Sequence, residues 1–154
     1  MHTEISIDVA APPRAVFELA RDITRWPELL PHYRQVTVHS RNGDRVTASM
    51  SAVRPFGKSK SGIPVRWRSE QWSDDEDAAD LRLRFMHIAG ATRGMDVSWH
   101  IRPTETGCSV TIEHDFRRRL PFVGDDLLPR VIDRLFVRPI AGRTLATFKS
   151  LAEG

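Results

Sequence analysis

Residues 3–30, TEISIDVAAPPRAVFELARDITRWPELL, hold the transition that decides the fold. Ile5, Ile7 and Val9 alternate with Glu4, Ser6 and Asp8, the period-two pattern of a half-buried strand. Pro12 and Pro13 stop that strand and suit the first turn of a helix. Val16, Phe17, Leu19 and Ala20 then predict a short helix over 13–21. Ile23, Trp26, Leu29 and Leu30 carry helical spacing on to Pro31, a second short helix with Thr24 as its expected N-cap and Pro27 near its start.

Beyond residue 33 the period falls to two. Val36 and Val38 lead to Asn42-Gly43, a strong hairpin signal, and Val46, Ala48, Met50 and Ala52 form the return strand. A polar, glycine-bearing stretch over 54–63 reads as a loop. Four further alternating runs follow: Val65 to Gln71, Leu81 to His87, Met95 to Ile101 and Val110 to Phe116, separated by turns at 74–80, 90–94 and 103–107. Sequential strands with short turns predict an antiparallel meander. From about residue 125 to 152 the spacing becomes helical again, through Leu128, Val131, Ile132, Leu135, Phe136, Ile140, Leu145, Phe148 and Leu151. Pro139 sits inside this run and is expected to kink or locally open the helix.

The order strand, two short helices, six strands, long helix predicts an α+β domain, with the whole chain, 1–154, as one unit. A seven-stranded antiparallel sheet curls. One helix about 10 Å across does not fill the concavity of such a sheet, so an internal hydrophobic cavity is expected.

Composition narrows the classes. The chain has 154 residues, is 40% hydrophobic and 28% charged, and carries a net charge of +3. That is the mix of a folded domain, not a disordered one. Twenty of its 23 bases are arginine and are mostly interleaved with acids, which argues against nucleic acid. Two basic clusters stand out, Arg54/Lys58/Lys60 and Arg117/Arg118/Arg119. The single cysteine, Cys108, excludes an internal disulfide and fits a reducing, cytoplasmic setting. The start reads as lacking a signal peptide, and no run of ~18 apolar residues predicts a membrane span. The six histidines show no HExxH spacing, so no metal is expected. There is no GxGxxG or phosphate loop and therefore no nucleotide cofactor; no cofactor of any kind is expected.

The segment APPRAVFELARDITRWPELLPHYRQV resembles the opening of the polyketide cyclase/dehydrase group of the START-like, helix-grip (SRPBCC) superfamily, the birch-pollen-allergen fold. The features are the Pro-Pro helix start, Asp22-Ile23, Trp26-Pro27-Glu28 and Tyr33, with VRWRSEQW, Trp99 and the Leu145-to-Glu153 helix end further along. The resemblance implies a seven-stranded curved sheet wrapped on the C-terminal helix, with two short helices after strand 1. It also implies a cavity for a hydrophobic ligand. In the aromatase/cyclase members an inward arginine, two positions after the serine of a Trp-x-Ser pattern, is thought to polarise a substrate carbonyl. Here the pattern is Trp67-Arg68-Ser69-Glu70-Gln71, and Gln71 stands at the arginine's place. Glutamine can hydrogen-bond a carbonyl but brings no charge to a developing enolate.

Strand parity selects the ligand-facing set: Trp67, Ser69, Gln71, Phe85, His87, Met95, Trp99, His114 and Phe116, with Tyr33 at the end of the second short helix. Most are flat and apolar, suited to rings or long aliphatic chains. Gln71, His87 and His114 are the candidate catalytic residues, since polar groups on an apolar face need partners. Ser69 with His114 lacks an orienting acid and a GxSxG motif, which weakens a nucleophilic reading. Two functions follow. The first is binding or transport of a hydrophobic, ring-containing small molecule or lipid; a quinone or lipid chaperone is its close variant. The second is an aromatase/cyclase or dehydratase acting on a polyketide held by an acidic acyl carrier protein, docked by the basic clusters.

Overall fold

The computed structural model describes residues 1–55, 62–116 and 127–154. Strand β1 (His2–Val9) is followed by helix α1 (Pro13–Arg21), a 3-10 turn (Ile23–Arg25) and helix α2 (Trp26–Leu29). Strands β2 (Tyr33–Asn42), β3 (Arg45–Pro55), β4 (Gly62–Asp74), β5 (Leu81–Gly90), β6 (Met95–Thr104) and β7 (Gly107–Phe116) come next. The chain ends in α3 (Leu127–Ile132), a π-helical turn (Asp133–Val137) and α4 (Arg138–Glu153).

The strands form one sheet in the order β1-β7-β6-β5-β4-β3-β2, antiparallel throughout. Its inward face is the one the alternation marked. Leu81, Leu83, Phe85 on β5, Met95, Val97, Trp99, Ile101 on β6 and Val110, Ile112, His114, Phe116 on β7 are all buried. Helix α4 lies across this face and buries Ile140, Ala141, Thr144, Leu145 and Phe148. This is the START-like helix grip: a curled antiparallel sheet closed by a long C-terminal helix.

Two short-range devices set the geometry. At the β2–β3 hairpin Gly43 adopts φ +63°, a conformation that costs glycine nothing. At the end of β5, Gly90 has φ +94°, and a Cβ there would stand 2.5 Å from the Arg66 carbonyl oxygen. This close approach adjoins a β-bulge: the β4–β5 register steps from Arg68↔Ala89 to Ser69↔His87, leaving Ile88 extra on β5.

Of the local expectations, the N-cap is corrected and the opening of the C-terminal helix at Pro139 is met. Asp22, not Thr24, caps the helical segment after α1, its carboxylate accepting from the Thr24 backbone N–H at 3.2 Å and also from the Thr24 hydroxyl. The C-terminal helix is not continuous. It opens into a π turn directly before Pro139, where the Arg138 N–H bonds to the Asp133 carbonyl, five residues back. The opening accommodates the missing proline N–H and relieves the clash of its ring with the preceding turn. The loop expected over 54–63 is shorter, because 54–55 and 62–63 pair as the ends of β3 and β4; its remainder, 56–61, lies outside the described residues, as do Lys58, Lys60 and the Arg117–Arg119 cluster.

Candidate functional site

Helix α2 drops Trp26 into the concavity of the sheet. Its ring sits 5.0 Å from Tyr33, 5.8 Å from Phe85, 6.0 Å from Trp99 and 6.0 Å from Phe148, centroid to centroid. Its Nε1–H donates to the Ala20 carbonyl at 3.1 Å, which fixes the indole while its faces stay apolar. Beside this aromatic cluster, between sheet and helix, lies a cavity of about 80 Å³.

Seven of the ten expected ligand-facing residues line that cavity: Tyr33, Trp67, Phe85, His87, Met95, Trp99 and His114. Three do not. Ser69 is buried and donates to the Met50 sulfur at 3.6 Å. Gln71 is buried and donates through Nε2 to the Arg21 carbonyl at 2.9 Å, tying β4 to the end of α1. Phe116 is fully buried opposite Met95 but is not part of the lining. Parity had put them on the correct face; their position along the strand puts them outside the opening.

Other lining residues were missed. Phe136, Ile140 and Thr144 recur every four residues along the C-terminal helix, a stripe legible in the sequence but not assigned to the site. Thr92 comes from the β5–β6 turn and carries no sequence signal.

The polar groups sit in two clusters. In one, the Trp67 and His87 rings stack at 5.6 Å with planes 12° apart, and His87 Nδ1 bonds the Thr92 hydroxyl at 2.6 Å. Burial, helped by His114 nearby, pushes His87 down to about 3. Burial likewise pushes His114 down to about 4, against the opposing pull of Asp133. Both imidazoles are therefore neutral at pH 7. In the other cluster Tyr33 and Thr144 both line the cavity, and burial raises the Tyr33 ionisation above the ordinary tyrosine value. Thr144 Oγ1 donates to the Ile140 carbonyl and bonds His32 Nε2, both at 2.8 Å. His32 lies behind the lining, its Nδ1 buried without a hydrogen-bond partner, and burial and Arg143 push it down to about 4.

Residues 9–136, most of the chain, match the family described as polyketide cyclase/dehydrase and lipid transport. The chain belongs to that family. A Streptomyces cyaneus protein that carries the provisional name polyketide cyclase is 30% identical over 125 residues, covering 81% of this chain and 78% of its own. The crystal structure of the Zhui aromatase/cyclase from Streptomyces sp. R1128 superposes with a TM-score of 0.77 at 17% identity, over 99% of this chain and 93% of that one. A START superfamily protein from Mycobacterium smegmatis gives 0.66 at 16% identity, over 99% and 94%. These similarities establish the fold for this member of the polyketide cyclase/dehydrase and lipid transport family.

No group of three or more potential metal ligands occurs among the described residues, and no described helix is long and apolar enough to cross a membrane.

Proposed function

We propose that this family member binds a hydrophobic, ring-bearing small molecule in the cavity between its sheet and α4. The observation that carries the reading is the wall itself: Trp26, Trp67, Phe85 and Trp99 around an opening into which only a few neutral polar groups project. Burying a two-ring ligand removes roughly 150–250 Å² from water, worth ~4–6 kcal/mol before ordering costs. The resting cavity, at about 80 Å³, is smaller than the ~150 Å³ that takes up benzene in an engineered apolar core. Binding therefore requires the walls to yield, and the π turn that contributes Phe136 and Val137 is the least regular of them.

Cyclisation or dehydration of a carrier-bound polyketide is the second reading, favoured by the family and by two imidazoles facing one cavity. Simple binding is preferred because a general base works best when its pKa lies near the operating pH. His87 at about 3 and His114 at about 4 are weak bases there. They remain good hydrogen-bonding groups.

Native mass spectrometry of gently purified protein, followed by calorimetric titration with ring compounds, tests the proposal. A retained or titratable hydrophobic ligand that stabilises the fold is the expected result. No bound species and no thermal shift across lipids, quinones and polyphenols would remove it. His87→Ala and His114→Ala with unchanged product profiles in a cyclisation assay would remove the second reading.

A further inference from the structure

We infer that the cavity accepts uncharged ring compounds and rejects the corresponding carboxylates, an inference that rests on the binding reading above. Its described lining contains no Asp, Glu, Lys or Arg. The polar groups that reach it are hydroxyls, on Tyr33, Thr92 and Thr144, and the imidazoles of His87 and His114. A hydroxyl or neutral imidazole can donate to a carbonyl or accept from a phenol, but none brings the positive charge that a buried anion needs.

The position where an inward cation would be expected does not supply a polar group either. Gln71 spends its amide on the Arg21 carbonyl at 2.9 Å. The charged groups felt at His114 already have partners. Asp133, from the π turn, accepts from Arg138 Nε at 2.7 Å and from the Thr3 hydroxyl at 3.1 Å. Asp115 and His2, which also act on His114, bond each other at 3.0 Å on the exposed side of β7 and β1. Arg143 acts on His32 behind Thr144, not on the lining itself.

A carboxylate can then enter only with a proton, carried by the ligand or taken up by an imidazole. Either route makes its affinity depend on pH. An aromatic acid with a pKa near that of a glutamate loses about a hundredfold to a thousandfold at pH 7 relative to its neutral form. Its affinity should recover about tenfold for each pH unit lowered toward 5, where the cavity imidazoles are still neutral.

The experiment titrates methyl 2-naphthoate and 2-naphthoate calorimetrically at pH 7, 6 and 5. The two probes share a ring system, and the ester is the larger, so size cannot explain a preference for it. The expected result is ester binding that is flat with pH, with the carboxylate at least a hundredfold weaker at pH 7 and gaining about tenfold per unit. Carboxylate binding within threefold of the ester, or without that slope, overturns the charge selectivity and leaves the binding reading standing. Failure of both probes overturns the selectivity inference, while the binding reading stands or falls on the native mass spectrometry and the wider ligand panel. Ala141→Leu, which fills the cavity, should abolish ester binding; unchanged ester binding there puts the ligand elsewhere and overturns the inference.

Discussion

The inward face of β4 has two ends that treat polar residues in opposite ways. Toward its C-terminus, Ser69 and Gln71 are buried and find partners within the protein, the Met50 sulfur and the Arg21 carbonyl. Toward its N-terminus, Trp67 stacks on His87 and both face the cavity, with His114 close by. The closed end uses its side-chain hydrogen bonds to fasten a helix to the sheet. The open end leaves hydrogen-bonding capacity for a guest. The same alternation of residues produces both, so facing inward is not the same as facing a ligand.

Acid should separate the two ends most strongly. Folded His87 and His114 stay neutral down to about 3 and about 4, and His32 down to about 4. In the unfolded chain each takes a proton near ~6.5. Between those values the unfolded state holds more protons, so stability falls as the pH drops from about 6.5 toward 4. The loss between pH 7 and pH 5 is about 2 kcal/mol for each histidine. Urea midpoints across that range measure it. A His87→Gln/His114→Gln variant should keep only the part due to His32. A wild-type curve flat between pH 7 and 5 would mean the open end is as well hydrated as the surface, and the contrast would collapse.

Substitutions on the two ends should then trade effects. Gln71→Ala leaves the Arg21 carbonyl without its partner and should destabilise by about 1–3 kcal/mol. Affinity for methyl 2-naphthoate should change less than twofold. Trp67→Leu removes an aromatic wall and should weaken that affinity by about 1 kcal/mol, roughly fivefold. Paired urea and calorimetric titrations read both quantities. A Gln71→Ala variant that keeps its stability but loses ligand would place Gln71 in the site after all.

The architecture was legible because its signals are local and repeated. Alternation marked all seven strands, and Pro12-Pro13 and Asn42-Gly43 marked where the chain turns. Six cavity residues followed from parity alone, and Tyr33 from its place after the second short helix. Depth did not, because parity has no coordinate along the strand. Gln71 differs from Trp67 only in lying opposite the end of α1, a tertiary fact. The bulge at Ile88 and the turn that brings Thr92 to His87 are likewise absent from any periodicity. His32 was invisible for another reason. It precedes β2, on no strand or helix, and its burial follows from the packing of Thr144 on the opposing helix.

The smallest effect concerns the cavity's helical wall. Pro139 clashes with the carbonyl four residues back in a regular α-helix, and the π turn relieves that clash. Yet the turn has anchors of its own. Asp133 is held by Thr3 and Arg138, and Phe136 and Val137 are seated against the cavity. Closing the turn would rotate α3 against α4 and pull these contacts apart. Pro139→Ala should therefore leave the π turn in place, with stability changed by less than about 1 kcal/mol and ester affinity by less than threefold. A structure of the variant with an unbroken α-helix through 133–139 would show that proline alone holds the wall open. The open end would then owe its cavity to one residue of the helix, and not to the polar anchors that distinguish it from the closed end.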